Sequence, residues 1–97
     1  MRYLFVDGML AGTGVRDAIG GGYVDLAELG LLPNVVELIS SWLACYETAH
    51  YRQFDDPQEV QALDEIGREL CDRLVHELPE NKIGYFSAAR MEKLKSA

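Results

Sequence analysis

The sequence predicts an α+β domain: two antiparallel helices, about 34–53 and 57–78, packed on a small sheet formed by N- and C-terminal strands at about 2–6 and 82–86. Three observations predict it. Apolar residues recur at helical spacing through the middle of the chain, which is the mark of two core-facing helices. Short aromatic and β-branched runs stand at both ends, as buried strands require. A length of 97 residues with 48% hydrophobic content suits one folded domain with one modest core.

The first strand is "RYLFV" (2–6), closed by the turn pair Asp7-Gly8. Residues 9–22 read as irregular, with room for a second short strand near 9–11 and another in "YVDL" (23–26). "LAELG" (26–30) is a single helical turn stopped by Gly30. The first long helix, in "LPNVVELISSWLACYETAHYRQF", carries apolar residues at 35, 38, 39, 42, 43, 46 and 49. Asn34 is its expected N-cap, with Glu37 completing a capping-box-like pair.

"FDDP" breaks that helix, and Asp55 or Asp56 can cap the next, with Pro57 at its first position. Val60, Leu63, Ile66, Leu70, Leu74 and Leu78 form its stripe, and Asp64–Arg68 and Glu69–Arg73 are i,i+4 pairs on its outside. Gly67 interrupts the stripe. The expected reason is close approach by the first helix, with Trp42 or Tyr46 over the missing side chain. Pro79 ends the helix, "KIGYF" (82–86) is a strand, and a short basic turn of helix follows over 87–95. The whole chain, 1–97, is one domain.

Six of the nine glycines fall between residues 8 and 22, which raises the question of a phosphate loop. A phosphate loop needs backbone N–H groups converging at a helix that starts at once. GxxxxGK[ST] is absent, and GxGxxG fails because Asp17 stands where the third glycine belongs. "ETAH" matches half of a Glu-x-x-His carboxylate-bridged metal pattern but occurs once, and Asp72 and His76 are a lone pair. Cys45 and Cys71 read as buried structural thiols. No catalytic residue, cofactor site or metal site is expected, and the chain is read as non-enzymatic.

Charge gives the positive signal. The net of −7 is uneven: residues 17–80 hold fourteen Asp and Glu against three Arg. Such a surface disfavours nucleic acid and anionic membranes and favours a basic protein partner. With no apolar run near membrane-spanning length, a cytoplasmic monomer or homodimer is the expectation. The expected partner-binding residues are Tyr51, Phe54, Asp55, Asp56, Glu59, Glu65, Glu69 and Asp72, with aromatic anchors beside carboxylates in "HYRQFDDP".

The second half, Trp42 and Tyr46 on one helix followed by "LDEIGRELCDRLVHELPENKIGYF", resembles small acidic bacterial immunity proteins of toxin–immunity systems, of the contact-dependent growth inhibition type. The resemblance covers residues 42–86 and implies tight binding to a cognate toxin domain, often a basic nuclease, by blocking its active site or an adjacent surface. Two other classes remain open on the residues alone. One is a phage- or plasmid-encoded inhibitor, such as an acidic anti-CRISPR protein or nucleic-acid mimic. The other is a small enzyme or enzyme subunit using the glycine-rich loop 8–22.

Overall fold

A computed structural model describes residues 2–94. The strands are β1 (Tyr3–Asp7), β2 (Val15–Asp17), β3 (Lys82–Ser87) and β4 (Glu92–Leu94), and the helices α1 (Pro33–Tyr51) and α2 (Pro57–Glu77). The sheet order is β2-β1-β3-β4, with β1 and β3 parallel at the centre and antiparallel neighbours at both edges. A parallel pair needs a long crossover, and here the crossover carries β2 and both helices. The α+β architecture follows the sequence expectation.

Alternation along the strands decides which side chains meet the helices. Leu4 and Val6 of β1, Val15 of β2, and Tyr85 and Ser87 of β3 are buried on the inner face. They meet Val35, Ile39, Trp42, Tyr46 and Ala49 of α1 and Leu63, Leu70, Cys71 and Leu74 of α2. Full burial of each aliphatic side chain among these contributes about 1.5–3 kcal/mol. Trp42 edges onto Tyr46 at 5.3 Å and donates its indole N–H to the Leu63 carbonyl at 2.8 Å, tying α1 to α2. The opposite sheet face has no helix over it.

Several local expectations are corrected. Helix α1 begins one residue early: Leu32 is the N-cap without a side-chain bond, Pro33 takes the first position, and Asn34 does not cap. Strand β2 lies at 15–17 rather than 9–11, and "YVDL" supplies a single bridge, Tyr23 to Arg16. The 3₁₀ turn Leu26–Leu29 ends at Gly30, whose φ of +67° is the left-handed stop expected of it. After β3 the chain makes a hairpin into β4 instead of a helix, because pairing with β3 satisfies its backbone. Residue 95 of that expected helix lies outside the described residues.

Candidate functional site

The expected contact residues divide between the interhelical turn and the body of α2. At the interhelical turn, Tyr51 is 71% exposed and Asp55 is exposed, but their neighbours hold structure together. Phe54 is half-buried against the core, its ring 5.8 Å from Tyr46 and 5.4 Å from His50. Asp56 caps α2, its carboxylate accepting from the N–H groups of Gln58 at 3.0 Å and Glu59 at 3.3 Å. Glu59 pairs with Arg52, whose guanidinium is held more firmly protonated by that hydrogen bond. Glu65, Glu69 and Asp72 are exposed further along α2. The thirteen helical steps from Glu59 to Asp72 span about 20 Å, so the carboxylates run from the turn well along α2.

Glu69 and Asp72 belong instead to a furrow between the helices. It has a volume of about 300 Å³ and is lined by Leu38, Ile66, Glu69, Leu70, Asp72 and Arg73. It continues into a second hollow of about 220 Å³ formed by Leu38, Ser41, Trp42, Cys45, Leu63 and Ile66. Leu38 and Ile66 are shared by both hollows and are 46% and 44% exposed. Both sit on the apolar stripes the sequence assigns to the core. The stripes are wider than the sheet can cover, so one flank of each helix is left facing its neighbour's flank. Periodicity marks the stripe but not which edge stays bare; only the packing brings Leu38 and Ile66 to the same hollows.

Between the helices and the sheet lies a polar network, centred on Asp64. Asp64 is 1% exposed rather than on the outer face, and it does not pair with Arg68. Its Oδ1 accepts from the hydroxyls of Tyr85 at 2.6 Å and Tyr46 at 2.9 Å, its Oδ2 from Ser87 at 2.9 Å, and Arg90 Nε stands 3.5 Å away. Tyr46 also accepts the Ala89 N–H at 3.1 Å. Burial raises both phenols above the ordinary tyrosine range. Three hydroxyl donors and a nearby guanidinium satisfy the buried carboxylate, as a charge in this setting requires.

The glycine-rich segment is ordered by its own hydrogen bonds. Asp7 N–H donates to the Gly14 carbonyl, Val24 N–H to Val15, and Asp17 N–H to Gly22, at 2.8–2.9 Å. The Asp17 carboxylate accepts from the Ile19 and Gly20 N–H groups, which lowers its pKa. It thereby occupies donors that a phosphate would need. Gly8 lies under the Tyr46 ring, where a Cβ would stand 2.6 Å from Cγ. Close packing, rather than ligand binding, accounts for this glycine.

Cys45 is exposed, against expectation, whereas Cys71 is buried and donates to the Gly84 carbonyl at 3.3 Å. Burial pushes the Cys71 thiol up to about 12. The His50 ring packs on Phe54 and Tyr51. Among the described residues, no three His, Cys, Asp or Glu side chains gather as a metal site would require, and no helix is long and apolar enough to cross a membrane. Comparison of the chain with protein-family models, curated proteins and solved structures finds no match.

Proposed function

We propose that the chain is a non-enzymatic inhibitory binding protein of the immunity type, holding a basic partner in the furrow between α1 and α2. The observation that carries this reading is the pairing of Leu38 and Ile66, half-exposed apolar side chains beside Glu69 and Asp72. An apolar centre edged by carboxylates suits a partner that presents an apolar anchor among lysines or arginines. The apolar contact supplies affinity, and the carboxylates speed encounter and select for charge. Arg73 on the same rim keeps the surface from being uniformly acidic, which favours a protein partner over the role of a nucleic-acid mimic. On this reading the partner is a cognate toxin domain, and capture blocks its active site.

The test is affinity capture from the lysate of cells that encode the chain, at low and high salt, with wild type and a Leu38→Ser/Ile66→Ser variant. The expected result is one basic protein retained in stoichiometric amount by wild type and lost by the variant. Its association rate should fall steeply with salt. Retention of that protein by the variant would move the contact away from the furrow.

A further inference from the structure

The sheet face turned away from the helices differs in chemistry from the rest of the molecule. Strand alternation places Tyr3 and Phe5 of β1, Phe86 of β3, Arg16 of β2, Lys82 of β3 and Lys93 of β4 on it, in register across four strands. The three rings are half-buried and form a continuous row, with centroids 5.2 Å apart from Tyr3 to Phe5 and 6.2 Å from Phe5 to Phe86. Gly84, opposite Phe5 in register, makes room for the Phe5 ring: a Cβ there would stand 3.0 Å from Phe5 Cε1.

Cations lie over these rings. Arg16 Cζ is 5.2 Å from the Phe5 centroid and 5.0 Å from Phe86. Lys82 Nζ is 5.5 Å from the Tyr3 centroid, and Lys93 Nζ is 5.3 Å from Tyr3 and 5.7 Å from Phe5. Asp7 is the acid on this face. It is 1% exposed, and it is engaged by Arg16 at 2.8 Å and the Met9 N–H at 2.8 Å. Among the described residues, Lys82 and Lys93 have no carboxylate within ion-pair distance. On a chain of net charge −7, two lysines without an acidic partner among the described residues therefore lie over an aromatic row on the helix-free sheet face, Lys93 also donating to the Tyr3 hydroxyl.

We propose that this face binds single-stranded nucleic acid, with bases on the aromatic row and phosphates on Lys82 and Lys93. Rings and a guanidinium plane are stacking surfaces for unpaired bases, and the lysines that lie over the rings supply the counter-charge. Arg16, held over Phe5 and Phe86 by its bond to Asp7, is a positioned group rather than a free charge. Rings tilted by 60° and 41° to one another can each receive a base only where the bases are unstacked, so the ligand is a splayed single strand and not a duplex. An acidic protein would satisfy the lysines but leave the aromatic row without a flat partner. The average charge disfavours nucleic acid over the helical layer. It does not describe this face, which points the opposite way.

The experiment is fluorescence anisotropy with labelled oligouridine and oligothymidine of about eight nucleotides, within the usual site-size range, with polyglutamate as competitor. Wild type is expected to bind either oligonucleotide and to weaken roughly tenfold between low and physiological salt, as two or three phosphate contacts dictate. Lys82→Glu/Lys93→Glu should abolish binding, and Tyr3→Leu or Phe86→Leu should weaken it about fivefold or more, the loss of one stacked base. As a check independent of variant folding, amide shifts in wild type on adding oligouridine should concentrate in β1 and β3 and spare α1 and α2. No binding at low salt overturns the proposal. So does binding that polyglutamate displaces and that Tyr3→Leu and Phe86→Leu leave unchanged, which would mark the face as a contact for an acidic protein. Shifts confined to the helices overturn it as well.

Discussion

Tyr85 of β3 lies across Gly67 of α2, so that a Cβ on Gly67 would stand 2.6 Å from Tyr85 Cζ and 2.8 Å from its hydroxyl oxygen. The helix approaches the sheet closely here, and the glycine is what permits it. The sequence expectation placed Trp42 or Tyr46 of the neighbouring helix over this position. The occupant is instead a strand residue, held in place by its 2.6 Å bond to Asp64.

Gly67→Ala should therefore destabilise the chain by about 2 kcal/mol in urea unfolding, overpacking exceeding the gain in helix propensity. The atoms in the way are Cε1, Cζ and Oη, none of which leucine has. In a Tyr85→Leu background the same Gly67→Ala change should become neutral or stabilising. A similar loss in both backgrounds would mean that the ring is not the obstacle.

Asp64→Ala should cost about 3–5 kcal/mol, a large share of the stability of a small domain, because three buried hydroxyls lose their acceptor. Arg90→Ala should cost far less, since Arg90 is exposed and at 3.5 Å contributes little to the carboxylate's hydrogen bonding. Chemical denaturation of both variants separates the two roles. Equal losses would make the ion pair, and not the hydroxyls, the main support.

Stability should fall on the alkaline side. The folded protein holds the Cys71 proton, and those of Tyr46 and Tyr85, more tightly than the unfolded chain because burial disfavours the anions. That contribution is fully present below the unfolded values, 9.0 for the thiol and 10.0 for the phenols. It is lost as pH rises through them toward the folded values. Thermal melts from about pH 8 to about pH 11 should decline, by up to about 1.4 kcal/mol per pH unit for each titrating group. Cys71→Ala should delay the onset. An unchanged onset would leave the tyrosines as the first groups to act.

At the interhelical turn, Asp56→Ala should cost about 1 kcal/mol through loss of the α2 cap, while Asp55→Ala should fall within about 0.5 kcal/mol. Replacing Asp55, Asp56 and Glu59 together should lower stability through the cap and the Arg52 pair. Guanidinium titrations of the single and triple variants measure this.

In the furrow, Leu38→Ser and Ile66→Ser should each change stability by less than about 1 kcal/mol, because both side chains are about half exposed. Each should lower affinity for the basic partner about tenfold, as interface anchors do. A melting temperature far below wild type would make these residues core members after all.

By itself the sequence determined what depends on near neighbours along the chain. Pro57 starts α2 behind an aspartate cap, the break before Pro79 ends it, and the apolar spacing gives the inner faces of both helices. These features are legible because capping, periodicity and proline restriction act within a few residues. Tertiary structure decided the rest. Asp64 reads as a surface acid beside Arg68 because the hydroxyls that hold it lie 18, 21 and 23 residues away. The segment after β3 reads as a helix because a three-residue edge strand has little intrinsic preference until β3 is there to pair with it. Leu38 and Ile66 read as core because a stripe does not reveal how far the sheet extends over it. The aromatic row left a trace, since in "RYLFV" the outward positions Tyr3 and Phe5 are as apolar as the inward ones, where a half-buried strand would alternate with polar residues. Its meaning came only from the register, which sets Arg16, Phe86 and Lys93 beside those rings across strands far apart in the chain.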